Sequence, residues 1–149
     1  MMRKCLLTLI CALFTIQAVC PVSNKLDLVY AKRLLHINRL INMIAFVESG
    51  HDVKCVNLKE NAVGLLQIRP IMVKEVNRIL GKNKFKLSDR FDKDKSIEMF
   101  KIYQKYYNPN FEYQKAAYLW NGGSNYSKAN KSKKIKLKMY WNKVKNVKV

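Results

Sequence analysis

The sequence predicts a single, mainly α-helical domain with room for only a minimal sheet. Three observations lead there. A chain of 149 residues holds one real core and not two. Apolar residues recur at helical spacing through most of it. No internal repeat and no linker rich in Pro, Gly or Ser divides it.

The first long helix is expected over residues 26–47. Val29, Ile37, Leu40, Ile41 and Ile44 keep roughly helical spacing, with Lys25, Lys32, Arg33 and Arg39 mainly between them. Glu48 follows at its C-terminal end, ahead of Ser49 and Gly50. The polar stretch from His51 to Ala62 reads as a loop, and Gly64 to Ile68 as a short apolar segment interrupted by Gln67. Pro70 suits the first turn of a second helix that Gly81 stops. Asp92 or Asp94 can cap a third helix carrying Ile97, Phe100, Tyr103 and Tyr107, which Asn108-Pro109-Asn110 breaks. A fourth runs from Glu112 to about Trp120 and ends at Asn121-Gly122-Gly123. From Ser127 onward the chain is lysine-rich and expected to form a last helix, with Ile135, Met139, Trp141 and Val144 as anchors.

Charge sets the chain apart. Lys and Arg number 29 against 10 Asp and Glu, a formal net of +19. Such a field draws a protein toward polyanions at a salt-sensitive rate. Nucleic acid and anionic envelope polymers both qualify, so charge alone decides little.

The N-terminus addresses the compartment. Arg3 and Lys4 precede an apolar run from Cys5 to Ile16 broken only by Thr8 and Thr15, and Gln17-Ala18 supplies a small-residue exit. That is the build of a signal peptide over residues 1–18, and the run is too short to span a bilayer. An exported protein of the periplasm or cell envelope is expected. Cys5 and Cys11 would leave with the signal. Cys20 and Cys55 would remain and could pair in an oxidising compartment. Cys20 could instead carry a lipid, although Val19 is bulky where such a signal wants a small residue. His51 and Cys55 lie one helical turn apart without further ligands, so no metal and no cofactor is expected.

Four segments could carry chemistry: Glu48-Ser49-Gly50; Gly64-Leu65-Leu66-Gln67-Ile68; Asp92 to Tyr103; and Ala117-Tyr118-Leu119-Trp120-Asn121-Gly122-Gly123. Their order and spacing resemble the motifs of the lysozyme-like soluble lytic transglycosylase family, over roughly Leu40 to Gly123. No one of these motifs is specific; their joint order carries the resemblance. Leu66 stands where the family has Met, a volume-conserving change. Trp120 stands where it has Tyr, which keeps an aromatic face and loses a hydroxyl that in the family can lie close to the catalytic acid. Gly123 stands where Pro is often found.

The resemblance implies a lysozyme-like α+β domain over residues 25–126, with residues 127–149 as a lysine-rich C-terminal tail. It implies a monomeric bacterial enzyme acting on peptidoglycan glycan strands, with Glu48 as single general acid/base. Ser49, Gln67, Tyr118, Trp120 and Asn121 are the implied substrate contacts, and Gly64 and Gly122 the structural glycines. Residue chemistry agrees on the acid. Glycosidic cleavage needs a protonated carboxyl, and the run Ile44-Ala45-Phe46-Val47 beside Glu48 offers an apolar wall to raise its pKa. A position at a helix C-terminus also disfavours ionisation. A hydrolytic muramidase of the goose-lysozyme kind is the nearest alternative, and Asp52 is then the candidate second carboxylate. A basic binding protein is the other, its tail suited to nucleic acid with Tyr140 and Trp141 stacking on bases, though export argues against that partner. Anionic envelope polymers, or a secretion or conjugation machine, are the further partners considered.

Overall fold

The structure is a computed structural model that describes residues 21–148, with side-chain surroundings from residue 28 onward. The expected signal peptide of residues 1–18, with Cys5 and Cys11, and Cys20 lie outside the described residues. Cys55, half-buried, forms no disulfide among the described residues.

Five helices carry the chain: α1 (Pro21–Ser49), α2 (Pro70–Leu80), α3 (Lys93–Tyr107), α4 (Tyr113–Gly122) and α5 (Lys131–Lys145). Two-residue strands β1 (Val56–Asn57) and β2 (Ala62–Val63) pair antiparallel between α1 and α2, with Val56 opposite Val63. A bridge from Val63 to Ile68 extends the hairpin by one more crossing. The expected minimal sheet thus sits inside the stretch that the sequence offered only as a loop.

Helix α1 spans 29 residues, about 43 Å. Its C-terminal half forms the centre of the core, with Leu40 and Ile44 fully buried and Ile37, Ile41, Met43 and Ala45 nearly so. The N-terminal half projects. Val29, expected in the core, is exposed together with Leu28, Tyr30 and Leu35, because the rest of the domain reaches back only as far as Pro109 and Tyr113. Arg33 donates to the Pro109 carbonyl at 2.9 Å. The Tyr113 hydroxyl donates to the His36 carbonyl at 2.7 Å.

Local punctuation behaves as its chemistry dictates. Pro70 opens α2, and Gly81 closes it in the left-handed conformation at φ 65°. The Asp92 carboxylate caps α3 by accepting from the Lys95 amide at 3.0 Å. At the break after α3, Asn108 and Gln104 form a buried polar knot. Asn108 donates to Gln104 Oε1 at 3.2 Å and to the Glu112 carbonyl at 3.0 Å, while Gln104 donates to the Ala116 carbonyl at 3.2 Å. The bonds to Glu112 and Ala116 join the end of α3 to the start of α4, so the break is a fixed corner.

The lysine-rich C-terminal segment is packed. Leu137, Tyr140 and Val144 bury one face of α5 at i, i+3, i+7 spacing. Of the expected anchors, Val144 is buried and Trp141 half-buried, whereas Ile135 and Met139 are exposed. The buried stripe runs through Leu137 because Gly122 of α4 admits it: a Cβ there would lie 2.9 Å from the Leu137 side chain and from Tyr126 Cβ. Asn130 caps α5 by accepting from the Lys133 amide at 2.9 Å.

Candidate active site

The ends of α1 and α4, the hairpin, the start of α2 and one face of α5 enclose a cleft of about 480 Å³. Glu48 lies in its wall, in the last turn of α1. Its apolar surroundings are only in part those expected. Phe46 points away and is exposed, pairing with the His51 ring at 5.9 Å. Of the expected wall Val47 lines the cleft, and Ile68, Met72, Trp120 and Met139 add to the apolar lining.

Desolvation in that setting pushes the Glu48 carboxyl from 4.5 up to about 7. A hydrogen bond from Tyr140 and the field of Arg69 oppose the rise, and Glu60 adds to it slightly. Glu75 shows the converse on an exposed surface. Its carboxyl is held low, first by the hydrogen bond from Arg78. Two residues of one type are thus driven apart by environment, the pattern by which proteins separate acids from bases.

The hydroxyl facing Glu48 comes from α5. Tyr140 donates to Glu48 Oε1 at 2.6 Å across 92 residues of sequence. Burial pushes the phenol well above its usual range, so it stays a neutral donor. Tyr140 is itself buried, which removes it from any role as an exposed stacking platform.

A buried carboxyl that resists ionisation destabilises the fold wherever it must ionise. The unfolded Glu titrates near 4.5 and the folded one near 7, so between these pH values the folded state holds more protons. Stability therefore falls as pH rises through that window, by up to about 3 kcal/mol above it. Glu48→Gln is expected to raise the melting temperature at pH 8 and leave it near wild type at pH 4. Equal shifts at both pH values, read by differential scanning calorimetry, would contradict a raised pKa.

The transglycosylase SLT domain family matches residues 29–142, which runs from the first helix well into α5. The chain belongs to this family. Its fold is accordingly lysozyme-like, and its function is of the lytic-transglycosylase type on peptidoglycan. Comparison with curated proteins and with solved structures found no significant match.

Within this SLT domain the motif residues divide into two groups. Glu48, Gln67, Trp120 and Asn121 line the cleft. Gln67 takes a positive φ of 48° and directs Nε2 to the carbonyls of Gly64 at 3.1 Å and Cys55 at 3.2 Å. Those bonds hold the amide at the cleft floor and leave its oxygen to accept. Trp120 is largely core. Its Nε1 donates to the Leu66 carbonyl at 3.1 Å, and its ring packs 4.9 Å from Phe100 and 6.2 Å from Tyr103. Little of its surface is left to face the cleft.

Ser49 and Tyr118 do not line the cleft. The Ser49 hydroxyl donates to the Leu65 carbonyl at 2.8 Å and lies 3.2 Å from the Ala45 carbonyl, so it fastens the end of α1 to the segment carrying Gln67. Tyr118 lies against Tyr126, ring centroids 5.6 Å apart, and accepts from Gln114 at 3.1 Å. It faces away because it lies two residues, about 200° of helix rotation, from Trp120. Asp52 also stays outside the cleft, its carboxylate accepting from the Lys54 amide in an exposed turn. The second carboxylate in the cleft is Glu60 of the hairpin, paired with Arg69 at 3.9 Å.

Gly64 has a geometric role. At φ 77° it lies so close to the next wall that a Cβ would fall 2.0 Å from the Arg90 carbonyl oxygen. Arg90 in turn is nearly buried and donates to the carbonyls of Leu87, Asn61 and Ile68. That one guanidinium ties the hairpin to the approach of α3.

Proposed function

We propose that the chain is a lytic transglycosylase that cleaves the bond from N-acetylmuramic acid to N-acetylglucosamine, with Glu48 as its single acid/base. The observation that carries this is a carboxyl held protonated up to about pH 7 in the cleft wall, hydrogen-bonded by Tyr140. Glu48 protonates the glycosidic oxygen as the 2-acetamido carbonyl oxygen of the muramic acid attacks C1. The leaving sugar departs with that proton. The Glu48 carboxylate then takes the proton of the same sugar's 6-hydroxyl, O6 attacks C1, and the acetamido group is restored. The product is a 1,6-anhydro sugar, and no water is consumed.

Tyr140 supports the first half of the cycle. Its hydrogen bond lowers the Glu48 pKa, so it favours the carboxylate that forms after the first proton transfer. Tyr140→Phe is expected to reduce kcat roughly ten- to a hundredfold, from the loss of one charge-assisted hydrogen bond. It should also move the alkaline limb of the pH profile upward, because the remaining influences on Glu48 mainly raise its pKa. A limb that moves down or stays fixed would contradict this role.

Gln67 and Asn121 are the polar contacts positioned to hold the sugar. The basic, apolar and small-residue sequence of positions 1–18 supports export to the periplasm or envelope, where the substrate resides. Mass spectrometry of products from purified peptidoglycan tests the reaction. Anhydro-muropeptides are expected. Reducing-end products about 18 mass units heavier would overturn the proposal for a muramidase, and Glu60 would then be the base to test.

A further inference from the structure

Helix α5 turns two unpaired cations toward the cleft. Lys136, Met139, Tyr140 and Lys143 recur at i, i+3, i+4, i+7 and all line it. Lys136 and Lys143 are exposed, and neither forms an ion pair among the described residues. They lie two turns apart on the helix, about 10 Å along its axis. On the facing side, Glu60 is answered by Arg69. The cleft therefore holds more positive charge than its own carboxylates balance.

A chain of neutral sugars gives that surplus nothing to meet. The anions on a peptidoglycan strand hang from the 3-O-lactyl group of each muramic acid, either as its own carboxylate or as those of the peptide attached to it. We propose that Lys136 and Lys143 form an anion-recognition rim that binds these lactyl-borne carboxylates and selects strands that carry them. The proposal rests on the peptidoglycan function above and adds the substituent the enzyme prefers. Two flexible, strongly hydrated ammonium groups suit carboxylates whose position varies with the peptide better than a rigid fork would. The remaining α5 lysines outside the cleft, Lys138 and Lys145 among them, supply the long-range attraction common to the whole basic surface.

Binding is measured by co-sedimentation in the Glu48→Gln background, so the result does not depend on catalysis. Three preparations are compared: peptide-bearing peptidoglycan, amidase-stripped peptidoglycan that keeps the lactyl carboxylate, and peptidoglycan whose carboxylates are coupled to ethanolamine. All are freed of phosphate polymers. Lys136→Gln/Lys143→Gln is expected to weaken binding to the peptide-bearing form about three- to tenfold at low salt, the range for two exposed ion pairs. Lys138→Gln/Lys145→Gln, with the same spacing and charge change, should weaken it less than about twofold. Loss of the lysine effect on stripped material would assign the peptide carboxylates as the anion, and its persistence there the lactyl carboxylate. Equal losses from the two double variants, or a lysine effect that survives ethanolamine coupling, would overturn the proposal. Circular dichroism checks that both variants keep their helices.

Discussion

Glu48→Gln is expected to lower the rate of glycan cleavage by about 10³-fold or more. A positioned general acid contributes roughly 10²–10⁴ to a rate. Here one carboxyl is assigned both proton transfers, so its removal should reach the upper part of that range. The amide keeps the shape and can still accept from Tyr140, the bond seen at 2.6 Å in the native site. A loss of activity in a folded variant, more stable than wild type at pH 8, would therefore report chemistry. A residual rate within about tenfold of wild type would remove Glu48 from the reaction. Attention would then pass to Glu60, the other carboxylate in the cleft.

Gly64→Ala is expected to destabilise the fold by about 3–5 kcal/mol, against the roughly 5–15 kcal/mol that holds a typical domain together. Two effects add. A Cβ at φ 77° carries left-handed strain of about 1–2 kcal/mol. It would also lie 2.0 Å from a backbone oxygen of Arg90, which three hydrogen bonds from its own side chain keep from yielding. Gly50→Ala is the matched control. It has φ 62° with nothing within 4 Å, so only the strain applies. Urea titration of both variants separates the two contributions, and similar midpoints would mean that the close approach contributes nothing.

What could be read from the sequence was local. Pro70 and Gly81 through their backbones, Asp92 through its carboxylate and Asn108 at the break delimit helices by chemistry of their own, and each does so in the structure. Glu48, Gln67, Trp120 and Asn121 meet in the cleft because motif order constrains which segments converge. Motif order does not say which way a side chain turns: Ser49 faces the Leu65 and Ala45 carbonyls, and Tyr118 faces Tyr126. The hairpin residues Asn57 and Glu60 sit in a polar stretch with no periodicity to reveal them. Tyr140 was hardest. Its spacing from Leu137 and Val144 marks a buried face, yet nothing in a lysine-rich segment names a carboxylate 92 residues away as the partner. Ile135 and Met139 misled for the same reason: a helix with lysines on nearly every side shows no clear apolar stripe.

Synthesis gives that separation a meaning in time. The chain is made from its N-terminus, so the acid at position 48 exists long before the hydroxyl at position 140. At about 5–20 residues per second, the 92 intervening residues take roughly 5–18 s. During that interval the wall of the cleft that α5 supplies has not been made, and Glu48 has neither its donor nor the shelter that holds its proton. The cleft is thus completed only when the first long helix and the last, the first-made and the last-made of the five, come together.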